Sequence, residues 1–304
     1  MALKLVVALP KGGVGKTLLV RNLAEAVVRW YAARGELAKV LMVELDPQGN
    51  LTQGCGLRPR RMRHTIYTEM SELVRTFKAN VRNAIVSISD TVDLIPANIL
   101  LNYASEEFAS AVQKETLLQR LLRPIEADYE VIIVDTQPLL GFLVNNALKW
   151  ADQVVIPLQA ESDAIESTAL LLEHLKRLDT MEFNPQLAIA GLLFTQIRAQ
   201  TVLHRNAMEF AHQSFGPYVH FFDAWVPESV VYPEARAQQL SIYQYRPDSK
   251  FAQVYTDIAC EILEDQKRVL VSAMKLEEGF LDKIFEGVDT IDQDAPLGEG
   301  VGNG

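Results

Sequence analysis

One run of the sequence gathers residues suited to holding phosphate: Lys11-Gly12-Gly13-Val14-Gly15-Lys16-Thr17, entered from the apolar stretch Leu3–Leu9 and Pro10. Glycines let consecutive backbone N–H groups turn inward on an anion, and a helix beginning directly behind adds the positive end of its dipole. In a loop of this form Lys16 bridges the β- and γ-phosphates of a nucleotide while the Thr17 hydroxyl ligates Mg²⁺. The run from Lys11 to Leu18 is therefore the expected cofactor cradle, with ATP and Mg²⁺ as the cofactors. The strict phosphate-loop pattern has glycine where Pro10 stands, so the run is a variant of it. A second group suits the same chemistry. Asp135 follows the buried run Val131–Val134, and a carboxylate at the carboxyl end of such a strand can hold Mg²⁺ directly or through water.

These groups need a scaffold that brings strand ends together. Short apolar runs at Leu3–Leu9, Val40–Leu45, Val92–Ile95, Val131–Val134, Val154–Leu158 and Ile189–Phe194 alternate with helical patterns. The helical segments are expected at Lys16–Arg34, Glu106–Leu122, Gly141–Trp150, Ser162–Leu178 and His204–Phe215. Continuous apolar strands separated by amphipathic helices imply an α/β fold, a mostly parallel twisted sheet covered by helices on both faces. With no repeat or linker, residues 1–288 are expected to form a single domain. That domain includes a long C-terminal helix from about 249, running to Leu263 and on toward Phe285. The acidic, Gly-rich end at 289–304 is expected to be disordered.

The form Lys-Gly-Gly-x-Gly-Lys-Thr resembles the deviant phosphate loop of the ParA/MinD family. Two further segments resemble that family: Glu44-Leu45-Asp46-Pro47-Gln48-Gly49-Asn50 as switch I, and Val131 to Pro138 as Walker B running into switch II. The likeness extends from Leu3 to about Leu263 and includes Leu94–Asn98, Ile156–Gln159, Trp225–Pro227, Pro233–Ala235 and Ile242–Asp248. The pattern is that of partition ATPases lacking an N-terminal helix-turn-helix domain. The resemblance implies that Asp46 orients the attacking water and approaches the Mg²⁺, and that Thr195 and Pro227 lie near the adenine. It implies that Lys11 reaches across an ATP-bridged homodimer to the phosphates of the other subunit, as an arginine finger does. Departures are Leu18 for a second threonine, Glu44 for the first switch I aspartate, Gln137 for a switch II proline, and Val230 where partition ATPases usually carry arginine.

The same resemblance implies non-specific binding of double-stranded DNA in the ATP state, with a ParB-like protein stimulating slow hydrolysis. Binding of that kind needs cations that neutralise phosphates rather than read bases. Arg198, Arg205, Arg236, Arg246 and Lys250 are the candidates, and Arg58, Arg60, Arg61 and Arg63 form a second cluster after switch I. Against this stands a formal net charge of −10. The alternative within the fold is a MinD-like membrane-associated switch, for which the segment from Lys267 to Phe285 would be the anchor. Glu277, Glu278, Asp282 and the acidic end would be repelled by an anionic bilayer. A nucleotide-gated binding module with little hydrolysis is a reading of a different class. No apolar run approaches the roughly 18 residues that span a bilayer. Cys55 and Cys260 stand in no metal-ligand spacing, so the cytoplasm is the expected compartment.

Overall fold

In the computed structural model, which describes residues 1–264 and 267–293, aliphatic runs pair side by side in an eight-stranded sheet of order β3-β4-β2-β5-β1-β6-β7-β8. The first half of the chain supplies β1 (Leu3–Val7), α1 (Lys16–Ala32), β2 (Val40–Leu45), α2 (Asn50–Gly54), α3 (Ile66–Thr76), β3 (Val86–Ser87) and β4 (Val92–Ile95). Then follow α4 (Ala104–Glu107), α5 (Leu117–Leu122), β5 (Val131–Thr136), α6 (Phe142–Trp150), β6 (Gln153–Leu158) and α7 (Ser162–Thr180). The remainder is β7 (Ala188–Phe194), α8 (Val202–Phe215), α9 (Val231–Ala237), α10 (Ile242–Tyr245), α11 (Lys250–Glu264), β8 (Val269–Leu270) and α12 (Phe280–Gln293). All pairings are parallel except the two edges, where β3 and β8 run antiparallel to β4 and β7.

Strand side chains alternate between faces, so each strand serves two cores. Leu5 and Val7 of β1, with Ile133 of β5, pack under α1, α10 and α11. Val6 of β1, with Ile132 and Val134 of β5, packs under α3, α5, α6, α7 and α8. That two-sided burial is why the strands read as unbroken apolar runs in an acidic protein, and it confirms the mostly parallel α/β architecture. The chain reverses its direction of travel across the sheet at β1, with β5 on one side and β6 on the other. In open α/β sheets the crevice at such a switch point, outside the carboxyl ends of the strands, is where ligands bind.

Two expected helices take other forms. The segment Glu106–Leu122 is broken: α4 ends at Glu107, Gln113 adopts φ +56°, and a 3₁₀ turn at Lys114–Thr116 precedes α5. A left-handed residue at Gln113 cannot continue a right-handed helix. The C-terminal segment is likewise two helices rather than one. α11 ends at Glu264, β8 adds an edge strand to β7, and α12 begins at Phe280. Helix α12 packs on α7 and α8 with Phe280, Ile284 and Val288 buried. A Cβ on Gly287 would come within 2.5 Å of the Phe210 ring, so helix and ring are in close contact. The tail expected from 289 is still helical as far as Gln293, and its remainder, 294–304, lies outside the described residues.

Candidate functional site

The loop between β1 and α1 turns through two left-handed glycines, Gly13 at φ +82° and Gly15 at φ +86°, and Gly15 is the N-cap of α1. No side chain caps that helix end, so its first N–H groups stay directed at whatever the loop encloses. Two residues from the end of β7 brace the loop from outside. The Thr195 hydroxyl donates to the Val14 carbonyl at 2.9 Å, and the Gln196 amide donates to the Gly13 carbonyl at 2.5 Å. Lys16 is 7 % exposed and its ammonium donates back to the carbonyls of Leu9 at 2.9 Å and Lys11 at 2.5 Å. Burial outweighs the nearby charges of Asp135 and Asp46 and draws its pKa down to about 8.

Three carboxylates stand at the carboxyl ends of β5 and β2: Asp135, Glu44 and Asp46. Asp135 pairs in register with Val7 on one side and Glu44 on the other. It is fully buried, and neither carboxylate oxygen makes a hydrogen bond of ordinary geometry. Burial first, then the charge of Glu44, pushes its pKa up to about 8, against the Thr17 hydroxyl and the Lys16 charge. Asp46, just beyond β2, accepts from the Gln48 N–H at 2.9 Å through one oxygen. Glu44, the departure from the family pattern, is a strut. Its carboxylate accepts from the N–H groups of Leu51 at 2.7 Å and Thr52 at 3.1 Å, from the Thr52 hydroxyl, and from the Ala97 N–H at 3.4 Å. It thereby pins the start of α2 to the end of β4. Burial still raises its pKa to about 7 despite those four donors.

Together these elements enclose a cleft of about 530 Å³, lined by the Gly12–Leu18 loop, Asp46, Gln48, Asn50, Pro138, Gln196, the segment Val226–Ser229 and the α9 residues Tyr232, Pro233 and Arg236. Pro227 and Leu18 both reach its wall, while Thr195 lies just behind, holding the loop. Among the described residues no three His, Cys, Asp or Glu side chains form a metal cage. That suits Mg²⁺, which keeps several waters and takes one or two protein oxygens together with phosphates. The buried Asp135 carboxylate beside Thr17 is the group such an ion would satisfy, and Thr17 and Asp46 both line the cleft.

Other expected residues are placed differently. Lys11 is turned onto its own chain, paired with Glu161 at 3.0 Å and with Asp163. Arg198 forms a two-point ion pair with Glu228. Arg236 lines the nucleotide cleft and donates to the Asn50 side chain at 3.0 Å, tying α9 to α2. Arg205, Arg246 and Lys250 are exposed on separate elements, Arg246 over the Tyr245 ring and Lys250 over Phe251. Gln196, Glu161 and Asp163 were not anticipated from sequence. Their partners lie 150 to 183 residues away, and only Gln196, directly after Thr195, sits beside a residue already singled out.

Residues 3–189 match the family model described as an AAA domain. The chain is 34 % identical over 255 residues to the chromosome-partitioning ATPase Soj of Treponema pallidum, covering 83 % of this chain and 94 % of that one. It is 30 % identical over 265 residues to the chromosome partitioning protein ParA of Caulobacter vibrioides, covering 86 % and 94 %. A solved structure named cobyrinic acid a,c-diamide synthase from Mycobacterium smegmatis, with ADP and magnesium bound, superposes with a TM-score of 0.72 at 26 % identity. That match covers 89 % of this chain and 99 % of the other.

Proposed function

The chain belongs to the ParA/Soj family of P-loop ATPases, with ATP and Mg²⁺ as cofactors, and from that premise we propose that it is a dimerising ATPase that positions DNA. Two copies would close face to face over two ATP molecules, and that dimer would bind double-stranded DNA without sequence preference. A ParB-like partner would accelerate hydrolysis and so release the DNA, with a chromosome, plasmid or other cytoplasmic cargo as the object moved.

The observation that carries the hydrolytic half is the fully buried Asp135 carboxylate, without a hydrogen bond of ordinary geometry yet close to Thr17 and Lys16, both of which line the cleft. Bound Mg²⁺, held by Thr17 and Asp135 with Asp46 near it, would neutralise charge on the phosphate oxygens. Lys16 would exchange its two carbonyl partners for phosphate oxygens, whose negative charge would stabilise the ammonium that burial opposes. Asp46 has one oxygen committed to Gln48, which leaves the other to orient a water. Lys11 would leave Glu161 and Asp163 to complete the opposite subunit's site.

The names of the relatives support the DNA half, and so does α12. Phe280, Ile284 and Val288 on its apolar face are buried against α7 and α8 rather than free to enter a bilayer, which favours the DNA reading over the membrane one. Light scattering with ATP, ADP and no nucleotide tests the proposal, read beside phosphate release. Dimers are expected with ATP alone, and Asp46→Ala should hold the dimer while stopping release. Full turnover by a strict monomer would overturn it.

A further inference from the structure

We propose that Arg58, Arg60, Arg61 and Arg63 form the surface that grips the phosphate backbone of duplex DNA, and that switch I sets its position. This surface presupposes the DNA-binding reading above and adds where the duplex is held and how nucleotide controls it.

The four arginines fall between α2 and α3, and each is exposed. No acidic residue occurs between Asp46 and Glu69. Among the described residues none of the four side chains makes an ion pair or a hydrogen bond. Several arginines elsewhere are spent on carboxylates: Arg34 on Glu264, Arg75 on Glu72, Arg82 on Asp128 and Arg198 on Glu228. Leaving four together without counter-charge, in a protein of net charge −10, creates one local positive field. Guanidinium groups suit phosphate oxygens because the planar fork donates two bonds at once. Of the candidates nearer the C-terminus, Arg198 is paired and Arg236 is engaged at the nucleotide cleft, while Arg205, Arg246 and Lys250 are exposed but scattered over separate elements.

The loop is stiff and rests on switch I. A 3₁₀ turn at Pro59–Arg61 is closed by Arg61 N–H to the Arg58 carbonyl at 2.8 Å and Met62 N–H to the Pro59 carbonyl at 3.2 Å. The Pro59 ring lies against Gly49, where a Cβ would stand 2.7 Å from Pro59 Cγ and 3.3 Å from the Ala97 carbonyl. Gly49 is left-handed at φ +65°, and its N–H donates to the Asp46 carbonyl at 3.1 Å. Three residues of backbone thus join the carboxylate on the nucleotide cleft to the ring that seats the arginines. Close-packed groups move together, so a shift of Asp46–Gly49 on nucleotide exchange must displace Pro59 and the loop it carries.

The test uses the full chain, a labelled random-sequence duplex, and ATP, ADP or no nucleotide across a salt series. Combining Arg58→Ala, Arg60→Ala, Arg61→Ala and Arg63→Ala should weaken ATP-state binding at least ~100-fold. The log–log salt slope should become shallower by about 0.9 for each DNA phosphate that the variant no longer neutralises. ATP-driven dimerisation of the same variant shows that it is folded, and single Arg60→Ala and Arg61→Ala variants serve if it is not. Pro59→Ala, which keeps every arginine, should narrow the ratio of ATP-state to ADP-state affinity. Unchanged affinity and slope in the arginine variants would overturn this surface and leave the DNA-binding reading standing. An unchanged ratio in Pro59→Ala would overturn the coupling. A parent chain that binds no duplex in any state would overturn both this surface and that reading. Tighter binding of the parent to phosphatidylserine vesicles than to duplex, abolished in the arginine variants, would overturn the assignment to DNA.

Discussion

Asp135 is a buried carboxylate without a hydrogen bond of ordinary geometry, and such a group opposes folding until a cation reaches it. Its pKa is pushed up to about 8, so the folded protein holds a proton there that the unfolded chain has lost above its ordinary 3.8. Metal-free stability therefore falls as pH rises between those values, because the folded state must give up a proton from a buried site and keep the charge there. Asp135→Asn removes the charge, so it should stabilise the metal-free protein by about 1–3 kcal/mol, the usual cost of a buried unpaired polar group. The gain should be largest at or above pH 8. The same variant should lose the extra stability the parent gains from Mg-ATP. Thermal melts in EDTA and in Mg-ATP check both, and a variant still stabilised by Mg-ATP would remove Asp135 from the metal site. Glu44 is the opposite case, since the same burial is answered by four donors, and its carboxylate supports α2 instead of waiting for a ligand.

Elements differ in how visibly the sequence announces them. The central strands were legible because both faces are buried, so a strand such as Val131–Thr136 is apolar at nearly every position. Strands β3 and β8 have two residues each, too few to show a period. Lys16 and Thr17 were legible from the glycine loop behind β1 and Asp135 from its place at the end of an apolar run, whereas Asp46 was reached through the family resemblance. The pairings of Lys11 with Glu161 and of Arg236 with Asn50 span 150 and 186 residues, and no local pattern encodes them. Helix α12 was visible as an amphipathic segment, but not the face it would cover. Ile284 is 3 % exposed there, so Ile284→Ala should cost about 2–4 kcal/mol in denaturant melts while leaving ATP affinity unchanged. The junction of α6 and α7 adds a pH dependence. His174 Nε2–H donates to Asn145 at 2.8 Å while Nδ1 accepts from Arg177 at 3.0 Å, a pattern that needs the neutral ring. Burial and then Arg177 hold its pKa below the ordinary 6.5, and burial does the same to His212. Below pH 6.5 the unfolded chain takes up protons that these rings refuse, so stability should decline as pH falls through that point. His174→Gln should flatten part of the decline in melts from pH 7.5 to 5.5, and an unaltered pH profile would exclude His174 as a source.

At the scale of the whole molecule, the proposed dimer would bring two copies, each of net charge −10, face to face with phosphates between them. Like charges oppose that approach, and something short-ranged has to offset it. Apolar side chains stand exposed near the cleft mouth: Leu139 at 63 %, directly after Pro138, and Val230 at 69 %, directly after Ser229. Leu170, 42 % exposed, shares a groove with Pro10, Pro138 and Leu139. Covering a large aliphatic side chain in an interface contributes roughly 1.5–3 kcal/mol, so a few such residues set whether the dimer forms at micromolar concentration. Leu139→Lys should therefore abolish ATP-driven dimerisation while the monomer still binds ATP. The two association steps should also answer salt with opposite signs. Dimerisation brings like charges together and should strengthen or hold as screening rises, whereas DNA binding releases counterions and should weaken steeply. Sedimentation with ATP alone, and then with duplex, over one salt series separates them. Dimerisation that falls with salt as steeply as DNA binding would mean that opposite charges, rather than an apolar rim, close the interface.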